Sequence, residues 1–180
     1  MGDVTATNLI QGPASLYYGA FGALEPLTID EEPGAAWRDL GGTKDGVTMT
    51  IASEYAVLEV DQIVDEIGRT RTKRVVTIAT NLAEATLENL ALAMANGAPA
   101  AGVLEPDDGI EAFLPGYGAV LLEGIAPGGF RRRGIFRKVL STESVESAYK
   151  KDGQTLIPVT FTGHWVSQSI RPFRIEDASA

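Results

Sequence analysis

The chain has 180 residues, a hydrophobic fraction of 44% and a net charge of −9, with no cysteine and a single histidine. This length and composition predict one globular domain with a sizeable core. The absence of cysteine excludes disulfides and thiolate chemistry, and one histidine excludes a multi-histidine metal site within one chain. The acidic charge argues against tight binding of nucleic acid.

The N-terminal part of the sequence predicts an arm and two short strands. Residues 1–15 show little periodicity, and we expect an N-terminal arm there. The apolar, glycine-containing segment 16–23 is typical of a strand with close backbone neighbours. The segment 25–33 is acidic and bounded by prolines, which indicates a loop, and 37–42 predicts a short strand that ends in a glycine turn.

The central stretch predicts a long antiparallel β-hairpin. Apolar and polar residues alternate in both arms, 47–61 and 70–80, as they do in strands with one buried face. Both arms are rich in Val, Ile and Thr, which suit a pleated surface.

A capped helix is predicted directly after the hairpin. Asn81 is the expected N-cap, and Glu84 stands three residues later, where its carboxylate can reach back to the cap. Asn96 and Gly97 indicate the C-terminal end, because both tolerate a positive φ, and Pro99 prevents continuation. One apolar stripe at helical spacing is expected to face the core: Ala83, Leu87, Leu90, Ala91 and Met94.

The C-terminal half predicts a long surface connection at 97–116, three further strands at 117–125, 130–140 and 155–165, and an extended C-terminal arm at 170–180. Because helices do not separate most of the strands, antiparallel pairing is favoured. The predicted fold is a single domain, 1–180, of the mainly β (α+β) class. We expect an antiparallel β-sandwich or partly open barrel with one flanking α-helix.

No catalytic constellation is recognisable. The glycine-rich segments match no nucleotide-binding pattern, and His164, in an alternating strand, is interpreted as structural or interfacial. A metal site from Asp107, Asp108 and Glu111 is conceivable, but their order does not match a calcium loop. We therefore predict no enzymatic activity, no catalytic residues, and no cofactor or metal site.

Two basic runs stand out in the acidic chain, one at residues 69–74 and one at 131–138. Strand alternation predicts that Arg69, Arg71 and Lys73 share a face and that Arg74 lies opposite. A nucleic-acid patch and protection of a sheet edge are two interpretations. We prefer contacts between subunits, because acidic loops at 25–32 and 105–111 offer complementary charge. The residues predicted for these contacts are Arg71, Lys73, Arg131 and Arg133.

Five segments carry a family resemblance by their order: LYYGAFGA (16–23), WRDLGGTKDGV (37–47), LEVDQ (58–62), TIATNLAEATLENL (77–90) and KDGQTLIPVTFT (151–162). Together they resemble the tail tube (major tail) proteins of long, flexible-tailed bacteriophages. The resemblance implies a sandwich-like domain that forms hexameric rings. The rings stack into the tail tube, a conduit for the ejection of genomic DNA into the host.

The resemblance also implies partners and a location. The partners are other copies of the chain, the tape measure protein and other tail proteins, while genomic DNA passes through without specific binding. The protein is expected in the virion tail after assembly in the host cytoplasm, with no membrane contact and no secretory signal. The alternatives are another ring-forming tail component, such as a tail terminator or distal tail connector, and an enzyme or small-ligand-binding β-domain from outside phages.

The same resemblance implies roles for exposed residues of the hairpin. An inter-ring loop is expected between its arms, at Gln62, Asp65, Glu66 and Arg69, with the segment 171–180 as a second bridge. A tube wall that DNA passes without adhering favours acidic residues. The predicted lumen-facing residues are Glu54, Glu59 and Asp61. Which of them face inward stays open, because a one-residue shift of register exchanges the faces.

Overall fold

The computed structural model describes residues 2–178, in which it contains eight β-strands, one α-helix and short 3₁₀ turns. Met1 and residues 179–180, the outermost parts of the two predicted arms, lie outside this range. The elements are β1 (Ser15–Ala20), β2 (Trp37–Asp39), β3 (Thr43–Leu58), β4 (Gly68–Leu82), α1 (Leu87–Met94), β5 (Gly118–Ile125), β6 (Arg131–Ser141), β7 (Ile157–Gly163) and β8 (Phe173–Asp177).

All strands belong to one antiparallel sheet with the order β2-β1-β5-β6-β7-β4-β3, and β8 pairs with β6 beside this path. The sheet does not close into a barrel, because β3 and β2 at its two ends do not pair with each other. The predicted fold class, mainly β with one helix and a long hairpin, is therefore confirmed. The segment predicted as a C-terminal arm contributes β8, which holds it to β6.

The sheet curls so that distant strands share one core. The rings of Tyr18 on β1 and Phe161 on β7 stack with centroids 6.1 Å apart, although β5 and β6 lie between these strands. The helix α1 packs against β6 and β7. The core is built from buried side chains of five strands, among them Leu16, Ile78, Leu82, Val120, Phe136, Ile157 and Phe161.

A smaller apolar cluster lies on the other face of the sheet. Trp37 packs there with Leu121 and Ile135, and its indole Nε1 donates a hydrogen bond of 2.8 Å to the carbonyl oxygen of Leu24. The connection between β1 and β2 is thereby fixed against the outer side of β5 and β6.

The helix begins later than the sequence predicts. Its N-cap is Thr86, whose Oγ1 accepts a hydrogen bond of 3.2 Å from the amide of Asn89. Asn81 instead lies in β4, opposite Pro158 of β7. The Glu84 carboxylate accepts a hydrogen bond of 3.1 Å from the amide of Gly42. The predicted capping box is wrong because strand pairing with β7 extends as far as Leu82.

The predicted stripe of the helix is confirmed in part, because Ala91 is buried and Leu90 packs against the core. The buried residues of the helix are Asn89, Ala91 and Ala93, whereas Met94 is 41% exposed. Asn89 is buried because its amide bonds the carbonyl oxygens of neighbouring loops and its Oδ1 accepts from Arg38 at 2.9 Å. Ala95, directly after the helix, takes the left-handed conformation at its C-terminal end.

Candidate assembly interface

Half of the β3–β4 hairpin projects beyond the rest of the sheet. Strand β4 pairs with β7 only from Val76 to Leu82, so its first half pairs with β3 alone. We call residues 52–58 and 68–75 the distal hairpin. Within the described chain, both of its long edges lack a partner strand. A two-stranded ribbon of this kind is marginally stable in water unless another surface supports it.

A β-bulge divides the charges of the distal hairpin between two faces. Glu54 pairs with Lys73, but the next residue of β3, Tyr55, pairs with Arg71, which leaves Thr72 as the extra residue. Consecutive residues of β3 point to opposite faces, and cross-strand partners share a face. Arg71 therefore lies on one face and Lys73 on the other.

This arrangement corrects the predicted grouping of the basic residues. Arg71 pairs with Tyr55 and Arg69 pairs with Val57, so both arginines lie on the face of these two residues. Arg74 lies on the same face because it pairs with Ser53. Lys73 lies opposite. Strict alternation fails here because a bulge adds a residue to one strand without changing the sequence pattern.

The face of the hairpin that carries Tyr55 and Arg71 continues the inner surface of the sheet, and we call it the apolar face. It extends from the base of the hairpin into the distal hairpin. Its β3 side chains stand beside buried Val76 and Ile78 near the base and beside arginines near the tip. The Arg71 guanidinium lies 5.7 Å from the centroid of the Tyr55 ring, and its hydrogen bond lowers the pKa of that tyrosine. Four large side chains of this face are between 37% and 49% exposed: Met49, Ile51, Tyr55 and Val57.

The opposite face, which we call the polar face, consists mainly of small residues. The β3 side chains there are Thr48, Thr50, Ala52, Glu54 and Ala56. Glu54, one of the predicted lumen residues, forms an exposed ion pair of 3.4 Å with Lys73. An exposed pair of this kind adds little stability, but it neutralises the local charge.

The other predicted lumen and inter-ring residues lie at the tip of the hairpin. We call residues 59–67 the tip loop; it contains Glu59, Asp61, Gln62 and Asp65, all exposed. Arg69 folds back on Glu66 with two hydrogen bonds of 2.5 and 2.9 Å. The tip loop also exposes four apolar side chains: Val60, Ile63, Val64 and Ile67.

The basic residues of β6 find their partners inside the same chain. Arg133 is completely buried, and it donates to the carboxylate of Glu123 and to the carbonyl oxygens of Thr28 and Glu31. A side chain enclosed in this way is not accessible to another subunit. Arg133 therefore binds groups of its own chain in place of the predicted contact between subunits.

The neighbouring arginines fix the same acidic loop. Arg131 pairs with Glu32 at 2.7 Å, and the Arg137 guanidinium binds the carboxylate of Glu25 with two hydrogen bonds. These contacts raise the pKa of both arginines. The acidic loop 25–32 and the basic strand, which the sequence predicts to meet between subunits, thus meet within one chain. Arg131 retains partial exposure and stays a predicted contact.

Other kinds of site find no support in the described residues. Among the described side chains, those of residues 2–178 without 111 and 112, no group of three or more histidine, aspartate or glutamate residues is arranged to hold a metal ion. Glu111 of the conceivable metal site lies outside these described side chains. In the same range, every helix is too short or too polar to cross a membrane. The backbone amide of Asp107 donates to the Asn96 Oδ1 at 3.0 Å, which ties the middle of the connection between α1 and β5 to the residues just after the helix.

Comparisons with known proteins give a likeness among solved structures but none among family models or curated proteins. No protein-family model matches the chain, and no curated protein matches it. Among solved structures, a chain of the "Cryo-EM structure of the anti-feeding prophage (AFP) baseplate, 6-fold symmetrised" is similar, with 9% sequence identity and a TM-score of 0.48. The match covers 96% of this chain and 97% of that chain.

Proposed function

We propose that this chain is the structural subunit of a phage tail tube, which self-assembles into hexameric rings that stack around a channel for genomic DNA. The observation that carries the proposal is the distal hairpin, which has an exposed apolar face and unpaired edges. A neighbouring copy that packs against the hairpin would bury the apolar face. It would also pair with a free edge and extend the hydrogen-bond ladder.

The apolar face supplies the driving force for this assembly. Complete burial of an exposed Ile or Val side chain contributes about 1.5–3 kcal/mol, and Ile51 and Val57, each 45% exposed in the single copy, can still gain about half of that. In a single copy these side chains remain partly exposed to water. Val76 is the last buried residue of β4 on the way to the tip. A ring in which each copy covers the apolar face of the next removes this exposure for every subunit.

The polar face then has the properties of a channel wall. Threonines, alanines and a neutral Glu54–Lys73 pair offer passing DNA few phosphate-binding groups. The net charge of −9 repels DNA further, so the genome passes without specific binding. In this proposal the protein belongs to the virion tail, where the tape measure protein and other tail proteins are its further partners.

Electron microscopy of the concentrated protein tests the proposal. Negative staining of the wild type is expected to show tubes. The double variant Ile51→Ser, Tyr55→Ser should remain dispersed, because the apolar face loses its burial. The matched control is Thr50→Ser with Ala56→Ser, two exposed positions on the polar face, which should assemble normally.

The other outcomes are equally informative. Isolated rings without stacking would assign the chain to a tail terminator or distal connector instead of the tube. Wild-type protein that stays monomeric at high concentration, at neutral pH and in the presence of a tail initiator complex, would overturn self-assembly altogether.

A further inference from the structure

An apolar pocket of 180 Å³ lies at the base of the hairpin, and we call it the base pocket. Buried Val76 of β4 and Phe136 of β6 line its inner wall. Phe173 and Trp165 flank it, and Trp165 is 68% exposed. A concave apolar site with aromatic walls is the form that the energetic centre of a protein interface usually takes.

Polar groups at this pocket define what it can accept. The Nε2 atom of His164 is buried and has no hydrogen-bond partner among the described residues. The Arg74 guanidinium lies 5.2 Å from the centroid of the Phe173 ring, and no ion pair of the described chain includes it. None of the residues that line the pocket is acidic. The complementary ligand is therefore an apolar side chain within an acidic, hydrogen-bonding segment.

The tip loop has this chemistry. Residues 59–67 contain four carboxylates and no lysine or arginine. Arg69 binds Glu66, which leaves Glu59, Asp61 and Asp65 to face another surface. Val64 at its centre is fully exposed, and Ile63 beside it is half exposed. Exposed apolar side chains at the end of a long projecting hairpin become stabilising only when another surface covers them and removes them from water.

The tip loop cannot occupy the base pocket of its own chain. At about 3.3 Å per residue, β4 extends about 20 Å from Arg74 at the pocket to Gly68 at the tip. The two complementary surfaces thus lie at opposite ends of one continuous β-ribbon. A contact between them joins different regions of two copies, so each bound copy offers a new site to the next.

We propose that the tip loop of one copy inserts Val64 into the base pocket of a second copy, with its carboxylates facing Arg74. The inference rests on the proposed self-assembly and specifies the contact by which copies join end to end. The unpaired Nε2 of His164 then bonds a polar group of the incoming loop.

Cross-linking tests this contact, because the natural chain has no cysteine. Full-length Val64→Cys is mixed with full-length Trp165→Cys and treated with a short bismaleimide. The matched control replaces the pocket partner by Tyr149→Cys, which is at least as exposed as Trp165 but does not line the pocket. We expect the first pair to give about tenfold more heterodimer, because docking raises the effective concentration of the two thiols.

Charge reversal provides a second measurement on the same pair. Arg74→Glu in the pocket-bearing copy should strongly reduce the heterodimer, whereas Lys73→Glu, the same change on the polar face, should not. Equal yields for the Trp165 and Tyr149 partners would overturn the contact. If wild-type tubes form while these yields are equal, the proposed function stands and this inference fails; if neither assembly nor excess cross-linking occurs, both fail.

Discussion

Arg133 of β6 and Glu123 of β5 are cross-strand partners joined by an ion pair of 2.5 Å. The arginine side chain is 0% and the glutamate side chain 13% exposed. The remaining donors of the guanidinium reach the carbonyl oxygens of Thr28 and Glu31. One buried cation therefore connects the sheet to the acidic loop 25–32, with all of its charge compensated inside the chain.

The first prediction concerns this buried pair. Arg133→Met should lower the free energy of unfolding by about 3 kcal/mol, because the largely buried Glu123 keeps only Arg131 at 4.0 Å and the carbonyl oxygens of Thr28 and Glu31 lose their donor. Urea denaturation followed by circular dichroism measures the change. The control is Arg132→Met, which breaks the half-exposed pair with Asp177 on the same strand and should cost about 0–1 kcal/mol. Equal losses in both variants would contradict the role assigned to Arg133.

Sequence patterns identified the parts of this fold that depend on local periodicity. The two hairpin arms are evident because Val, Ile and Thr alternate with polar residues on both sides of the turn. The acidic loop 25–32 is also evident from its prolines and carboxylates. The attachment of this loop to Arg133 cannot be read from the sequence, because a contact between residues about a hundred positions apart leaves no periodic signal.

The candidate interface could be predicted only in part, for two physical reasons. The bulge at Thr72 exchanges the face of every residue beyond it, and nothing in the alternation of residues 70–80 indicates one extra residue. The base pocket depends on Phe136, His164 and Phe173 from three separate segments of the chain. Its inner wall is assembled only when the sheet curls.

The second prediction distinguishes the observed helix cap from the one expected from sequence. Thr86→Ala should lower the free energy of unfolding by about 1 kcal/mol, because the amide of Asn89 loses its acceptor. Asn81→Ala should cost less, since Asn81 lies in β4 and makes its structural contribution through backbone pairing. Chemical denaturation of both variants gives the comparison. A larger loss for Asn81→Ala would favour the cap predicted from sequence.

The third prediction separates the two faces of the distal hairpin by charge. Arg71→Glu places a carboxylate beside Tyr55 on the apolar face and should abolish tube formation at concentrations where the wild type assembles. Lys73→Glu alters the polar face and should leave assembly intact. Both residues are exposed in the single chain, so neither change should shift its melting temperature appreciably. Light scattering and differential scanning fluorimetry measure the two quantities.

Opposite results would exchange the roles of the two faces, with the polar face as the contact between copies and the apolar face as the channel wall. If Lys73→Glu prevented assembly and Arg71→Glu did not, neighbouring copies would meet on the polar face. The channel wall would then carry the arginines of the apolar face, which is incompatible with easy passage of DNA.

The fourth prediction is a dependence of stability on pH that originates at His164. Burial and, to a smaller extent, the positive charge of Lys138 lower the pKa of this histidine. Lys138 lies nearby over the ring of Tyr117, which itself packs edge-on against His164 with centroids 5.2 Å apart. Protonation therefore adds a second cation to a partly enclosed site that already contains one.

The sign follows from the protons bound in each state. The unfolded chain takes up the histidine proton near pH 6.5, about the ordinary pKa, whereas the folded chain takes it up at lower pH. Between these values the unfolded state binds more protons, so stability falls as the pH is lowered through that window. His164→Phe lacks this proton and keeps an aromatic ring against Tyr117. The wild type should thus lose more stability than the variant between pH 7 and pH 5, as measured by urea denaturation, and equal losses would show that His164 does not couple to folding.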